Sequence, residues 1–208
     1  LEGMVNFNKL GSNSNLRFDL KNWSLNAPAP VSKVAGSPLT AEVNIKTFAK
    51  DKSNPNRASW SGKMGDLYSL QGVLGRDDAI SHSVGIGAPP NMPKQGFNLN
   101  VASNELNLDA WQDFLSTKGA SQSTEDESNS NPIQLTAQIK KLIAFDRVWP
   151  DVNAAANYKK NIMDLRVSSP LIAGQLQYQT THATHGNGLI SGHLTKLKLP
   201  EVAPDTTT

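Results

Sequence analysis

The sequence predicts an all-β protein, mainly antiparallel, whose strands form an extended sheet with one short helix near 109–116. Three observations carry this. First, residues alternate from Ile133 to Pro200: Ile133, Leu135, Ala137 and Ile139 point one way, and Gln134, Thr136, Gln138 and Lys140 the other. The pattern returns as Val152/Ala154/Ala156/Tyr158, Met163/Leu165/Val167 and Ile172/Gly174/Leu176/Tyr178. Period two describes strands with one apolar and one wet face. Second, charged residues are only 18% of the chain, and Asn, Ser, Thr and Gln fill the solvent-facing positions. A helical bundle would instead favour Glu, Lys and Ala. Third, helical spacing of apolar residues stands out in a single short segment.

Along the chain, Leu16, Phe18 and Leu20 alternate and lead into Trp23 and Leu25 as a first strand. The prolines of Ala27–Pro30 and Pro38 mark a connector, because proline cannot serve a central ladder. Leu39, Ala41, Val43 and Ile45 form a second strand, and Asp51–Asn56 has turn chemistry. Trp60, Gly62 and Met64 precede a Gly65-Asp66 turn, with Tyr68, Leu70, Gly72 and Leu74 after it: a hairpin. Gly75–Asp78 turns again, Ser83–Ala88 is a short strand, Pro89–Pro93 a loop, and Phe97, Leu99 and Val101 open another strand. Asp109 is placed to cap a helix whose Trp111, Phe114 and Leu115 share a face. Four segments result: 1–115, a β-rich unit ending in the helix; 116–131, a polar mobile loop with Glu125-Asp126-Glu127; 132–200, an antiparallel β unit; and 201–208, a linker. Leu1-Glu2-Gly3 and Pro204–Thr208 read as the ends of a fragment of a longer chain.

The net charge of +2 is too small to point to nucleic acid, and no basic stripe interleaves with aromatics. No cysteine is present, so disulfides, thiolate metal sites and cysteine nucleophiles are excluded. No apolar run approaches the roughly 20 residues that span a bilayer as a helix. His182 and His185, with His193 beyond, are spaced like metal ligands, but they lie in a Gly-, Asn- and Thr-rich stretch and read as solvated loop histidines. Gly85-Ile86-Gly87 lacks the third glycine of a phosphate-binding turn. No serine has a nucleophile-elbow context. The expectation is a protein that is not an enzyme, with no cofactor and no metal.

The strand faces have two readings. They close on a second sheet as an ordinary core, or they line an open groove holding apolar ligand. Small residues at Ala137, Ala154, Ala156, Ala173 and Gly174 leave room on the face.

The ordered series Leu135–Leu142, Phe145, Asp151–Ala154, Asp164–Pro170, Ala173–Leu176 and Gly188–Pro200 resembles the AsmA-like proteins of Gram-negative bacteria, most closely the YhdP type. Leu106–Leu115 matches where that family places a strand followed by a short helix. The resemblance covers residues 95–200 well and the first ninety in texture only. It implies a curved sheet or half-pipe in the periplasm, its parent anchored in the inner membrane by a segment missing here. Phospholipid acyl chains would pass along its apolar interior between inner and outer membranes.

The residues expected to face acyl chains are Leu39, Ala41, Val43, Ile45, Phe97, Leu99, Val101, Leu135, Ala137, Ile139, Val152, Ala154, Ala156, Met163, Leu165 and Val167, in a monomer. The alternative is a non-catalytic β-rich structural or adhesion module with a closed core. Replacing Ala154 or Val167 by Asp separates the two, blocking transport in the first case and unfolding the chain in the second.

Overall fold

The computed structural model describes residues 2–8, 11–48, 56–75, 79–117, 131–180 and 188–199. Twelve strands and one helix are found among them: β1 (Glu2–Asn8), β2 (Gly11–Asp19), β3 (Thr40–Phe48), β4 (Asn56–Met64), β5 (Tyr68–Gly75), β6 (Ile80–Ile86), β7 (Gly96–Asn107), α1 (Leu108–Thr117), β8 (Ile133–Ala144), β9 (Arg147–Lys159), β10 (Ile162–Ser168), β11 (Ile172–Thr180) and β12 (Gly188–Leu197). Hydrogen-bonded neighbours follow sequence order, with β1 and β12 at the two ends. The fold is all-β with one helix, as the alternation predicts.

Contacts divide the chain into two compact units: Leu1–Ser24, Lys33–Val101 and Asn131–Ile133 form the first, and Leu25–Ser32, Ala102–Ser130 and Gln134–Thr208 the second. The division falls inside β7, and α1 groups with the C-terminal strands. Residues 118–130, most of the expected polar loop, lie outside the described residues, as do His182, His185 and the tail from 200 onward.

In the first unit β2 to β6 pair antiparallel, and β6 and β7 pair parallel. Parallel neighbours need a crossover rather than a tight turn, and residues 87–95 supply it. This crossover lies on the polar side of the sheet. The Ser83 hydroxyl, 1% exposed, accepts from Asn91 N–H at 2.9 Å and lies 3.3 Å from Asn98 Oδ1, and Asn100 Nδ2 donates to Pro89 O at 2.8 Å. Gly85 permits the approach, since a Cβ there would lie 2.0 Å from Ala88 O and 2.9 Å from Pro90 N.

In the second unit two-residue turns join β8 to β9 at Phe145-Asp146 (φ 57° and 55°) and β9 to β10 at Lys160-Asn161 (φ 49° and 64°). Positive φ at both central residues is the turn that matches strand twist. Asp151 (φ 45°) interrupts β9, so Trp149 and Val152 are both buried although three residues apart. An inserted residue of this kind resets the alternation. Ala144, Trp149 and Val152 form a core cluster, with Leu142, Ala154, Val167, Leu171 and Ile172 packed against it. Trp149 Nε1 donates to Ala144 O at 3.1 Å.

Three local readings are corrected. The first predicted strand stops at Asp19 because its Oδ1 accepts from Lys21 N–H at 2.9 Å and turns the chain. Trp23 and Leu25 therefore stand outside β2, 69% and 42% exposed. Asp109 does not cap α1; Asn107 Oδ1 does, accepting from Ala110 N–H at 2.9 Å. The Asp109 carboxylate instead accepts from Phe145 and Asp146 N–H at 2.8 and 2.9 Å, bracing the β8–β9 turn. Ala173 pairs with Ser168 while Gly174 pairs with Val167, so Ala173 faces away from the apolar side.

Candidate functional site: an apolar sheet face

Directly paired residues project to the same side of a sheet, so the registers resolve the first unit's face into rows across β2 to β7. The first row is Phe18, Ala41, Met64, Tyr68, Ile86 and Val101. The second is Leu16, Val43, Gly62, Leu70, Val84 and Leu99. The third is Ser14, Ile45, Trp60, Gly72, His82 and Phe97. A fourth, from Ser12 through Thr47, Ala58 and Leu74 to Ile80, borders them.

Five of the predicted residues in this unit, Ala41, Val43, Ile45, Phe97 and Leu99, are half-buried members of these rows, and Val101 is buried at 8%. Leu39 precedes β3 in the same phase and lies beside Gly65. The unit's described residues contain one sheet and no helix. Val101 is its single buried hydrophobic residue among them. A face of this length in a closed sandwich would contain many, because interiors pack to crystal-like density. The crossover covers the opposite, polar side and leaves the apolar side without it.

Local chemistry keeps the rows smooth. A Cβ on Gly72 would fall 2.0 Å from the Trp60 ring, so the missing side chain lets the indole lie across the neighbouring strand. His82 packs against Phe97 with centroids 5.0 Å apart. Its Nδ1 is buried without a hydrogen-bond partner. Burial pushes the Tyr68 hydroxyl above its ordinary pKa of 10.0, which fits a phenol set among Met64 and Ile86. The polar side carries a cleft of about 720 Å³ lined by groups such as Asn15, Asn44, Ser61, Gln71, Pro89 and Pro90. Among the described residues no three His, Asp or Glu side chains are placed to share a metal ion.

The second unit arranges its predicted residues differently. Val167–Ala154–Gly174, Leu165–Ala156–Leu176 and Met163–Tyr158–Tyr178 form rows across β9, β10 and β11. Val152 (3%) belongs to the Trp149 cluster, and Ala154 and Val167 pack on it. Ile139 (3%) and Ala156 (8%) are buried, while Leu135, Ala137, Met163 and Leu165 are half-buried. The registers therefore bring six of the first unit's predicted residues onto one face, and Ala154, Ala156, Met163, Leu165 and Val167 onto another that packed protein covers in part.

The sequence shows the hairpin of β4 and β5 but not the place of its residues on the face. Trp60, Met64, Tyr68 and Leu70 occupy the middle of the first unit's face, flanked by Leu16, Phe18, Val84 and Ile86. Their alternation was visible; only the register shows that they continue the face of Val43 and Leu99.

A linear all-β strand order, an apolar face left open within the first unit and a short helix after β7 are the features expected of an AsmA-like protein. The family model described as YhdP protein matches residues 1–208, and the chain belongs to that family. Membership implies a bacterial envelope protein. No curated protein and no solved structure matches the chain. Among the described residues, no helix is long and apolar enough to cross a membrane.

Proposed function

We propose that this chain is a periplasmic groove segment that carries phospholipid between the inner and outer membranes by sheathing acyl chains. The observation that supports this reading best is the first unit's apolar face, continuous over six strands and covered by no element of that unit among its described residues. Soluble proteins seldom expose more than a few hundred Å² of contiguous apolar surface without a use for it.

Each methylene removed from water is worth about 0.8 kcal/mol, so a lipid crosses an aqueous gap only if its chains stay covered. A row of Leu, Val and Ile side chains does this without any reacting group. Binding here is non-directional, which lets a chain slide from one strand to the next. The reading requires no catalysis and no cofactor, a monomeric unit and a parent held at the inner membrane.

Lipid extraction and native mass spectrometry of the chain purified from a Gram-negative host test the proposal. A phospholipid adduct is expected, and Val43→Asp with Leu70→Asp should remove it while the far-ultraviolet circular dichroism stays that of a β protein. Absence of phospholipid from the folded parent chain sinks the reading and favours a structural module.

A further inference from the structure

The four rows are unequal in polarity. The first and second contain one polar group between them, the Tyr68 hydroxyl, and all their members are half-buried or buried. The third carries Ser14 and His82. The fourth carries Ser12 and Thr47, whose hydroxyls hydrogen-bond across the strands at 2.8 Å, and Ile80, which is 40% exposed. Polar groups therefore increase along the strand direction from the third row on, and exposed side chains, Thr47 and Ile80, occur only in the fourth.

The one buried side-chain polar atom without a partner among the described residues, His82 Nδ1, lies in the third row. Rows two residues apart lie roughly 7 Å from each other, so the first and fourth are separated by about 20 Å.

We infer that a phospholipid bound to this face lies along the strands, with its headgroup and ester region at the third and fourth rows and its acyl chain ends towards the first. The inference rests on the proposed lipid reading and adds a direction to it. An ester or phosphate oxygen at the Ser12–Thr47 lip keeps hydrogen-bond donors, and Ser14 and His82 accept polar atoms just below it. Placed at the first row, the same oxygen would meet Phe18, Ala41 and Met64 with the Tyr68 hydroxyl as the row's one polar group, and would exchange several possible partners for one. Specificity for a headgroup with hydrogen-bond acceptors then resides in Ser12, Ser14, Thr47 and His82, while the first two rows, apolar apart from the Tyr68 hydroxyl, respond mainly to chain length.

Photo-crosslinking of the intact chain distinguishes the possibilities. Two phosphatidylethanolamine probes are used, one with a diazirine on the headgroup and one with it at the acyl terminus, and the labelled peptides are mapped by mass spectrometry. The headgroup probe is expected on β2 near Ser12 and Ser14, on β3 near Thr47 and on β6 near His82. The acyl probe is expected near Phe18, Ala41 and Ile86.

Thr47→Leu together with His82→Leu should lower headgroup labelling of this lip about 25-fold, two hydrogen bonds at about fivefold each. Acyl labelling of the first row should stay. The reverse pattern, or equal labelling of both ends by both probes, overturns the direction and leaves the lipid reading standing. Failure of both probes to label the face at all overturns the lipid reading and the direction with it.

Discussion

Trp60 lies over Gly72, and Trp149 lies inside a cluster of Ala144 and Val152; the two tryptophans show how one residue type serves an open and a closed surface. The difference has a measurable energetic side. Ile139 is 3% exposed, so Ile139→Ala should cost about 2–5 kcal/mol in urea unfolding through lost burial and an unfilled cavity. Ile45, half-buried on the open face, should cost only about 1 kcal/mol on the same change. Equal costs would mean that the open face is packed as tightly as the core. Tyr68 supplies a pH signature. Burial raises its folded pKa above the unfolded value of 10.0, so the folded state resists ionisation that the unfolded chain accepts. Stability should be unaffected by this group below pH 10 and fall as pH rises from there through the raised value. Tyr68→Phe should flatten that part of the alkaline slope; an unchanged slope would show that the phenol is solvated.

At the scale of elements, alternation shows where most strands from β2 to β11 lie, because a half-buried strand writes its two faces directly into the sequence, but it misplaces the ends of β2 (Gly11–Asp19, read as 16–25) and β6 (Ile80–Ile86, read as 83–88). What it could not show was pairing. Period two carries no strand direction, so the parallel β6–β7 pair and its polar-side crossover were invisible, although Gly85 marks the close approach in retrospect. β1 was also missed, its seven residues lacking a long apolar series. In β9 the left-handed Asp151 shifts the phase, which hid Trp149 and Val152 as neighbours in one cluster. That cluster also changes what Ala154→Asp and Val167→Asp test. Both residues pack on Trp149's cluster, so a charge there reports on the core, and Val43 and Leu70 are the informative positions for cargo. α1 was found nearly residue for residue, but the role of its acid was not: Asp109 holds the Phe145-Asp146 turn from another element. Asp109→Ala should therefore cost about 1–3 kcal/mol and raise hydrogen exchange at the Phe145 and Asp146 amides. Asn107→Ala should cost about 1 kcal/mol and fray the helix start. If Asp109→Ala frays the helix and leaves the turn protected, the bracing role is wrong.

Across the whole molecule, the candidate site is a property of registers, not of any motif. Of the sixteen positions to which alternation and family resemblance point, seven belong to the first unit, six in its rows and Leu39 at their border. The remaining nine sit in the second unit, where Val152, Ala154 and Val167 are committed to packing. A reading from composition could not make that distinction, because small and β-branched residues serve a groove and a core equally. The central claim is that acyl chains occupy the first unit's face, and Trp60 is a reporter already standing on it. A chain retaining only Trp60, with Trp23, Trp111 and Trp149 changed to Phe, is compared with one retaining only Trp149, both exposed to phosphatidylcholine brominated along its acyl chains. Strong quenching of Trp60 and little quenching of Trp149 is the predicted result. Unquenched Trp60 fluorescence at saturating lipid would contradict the account.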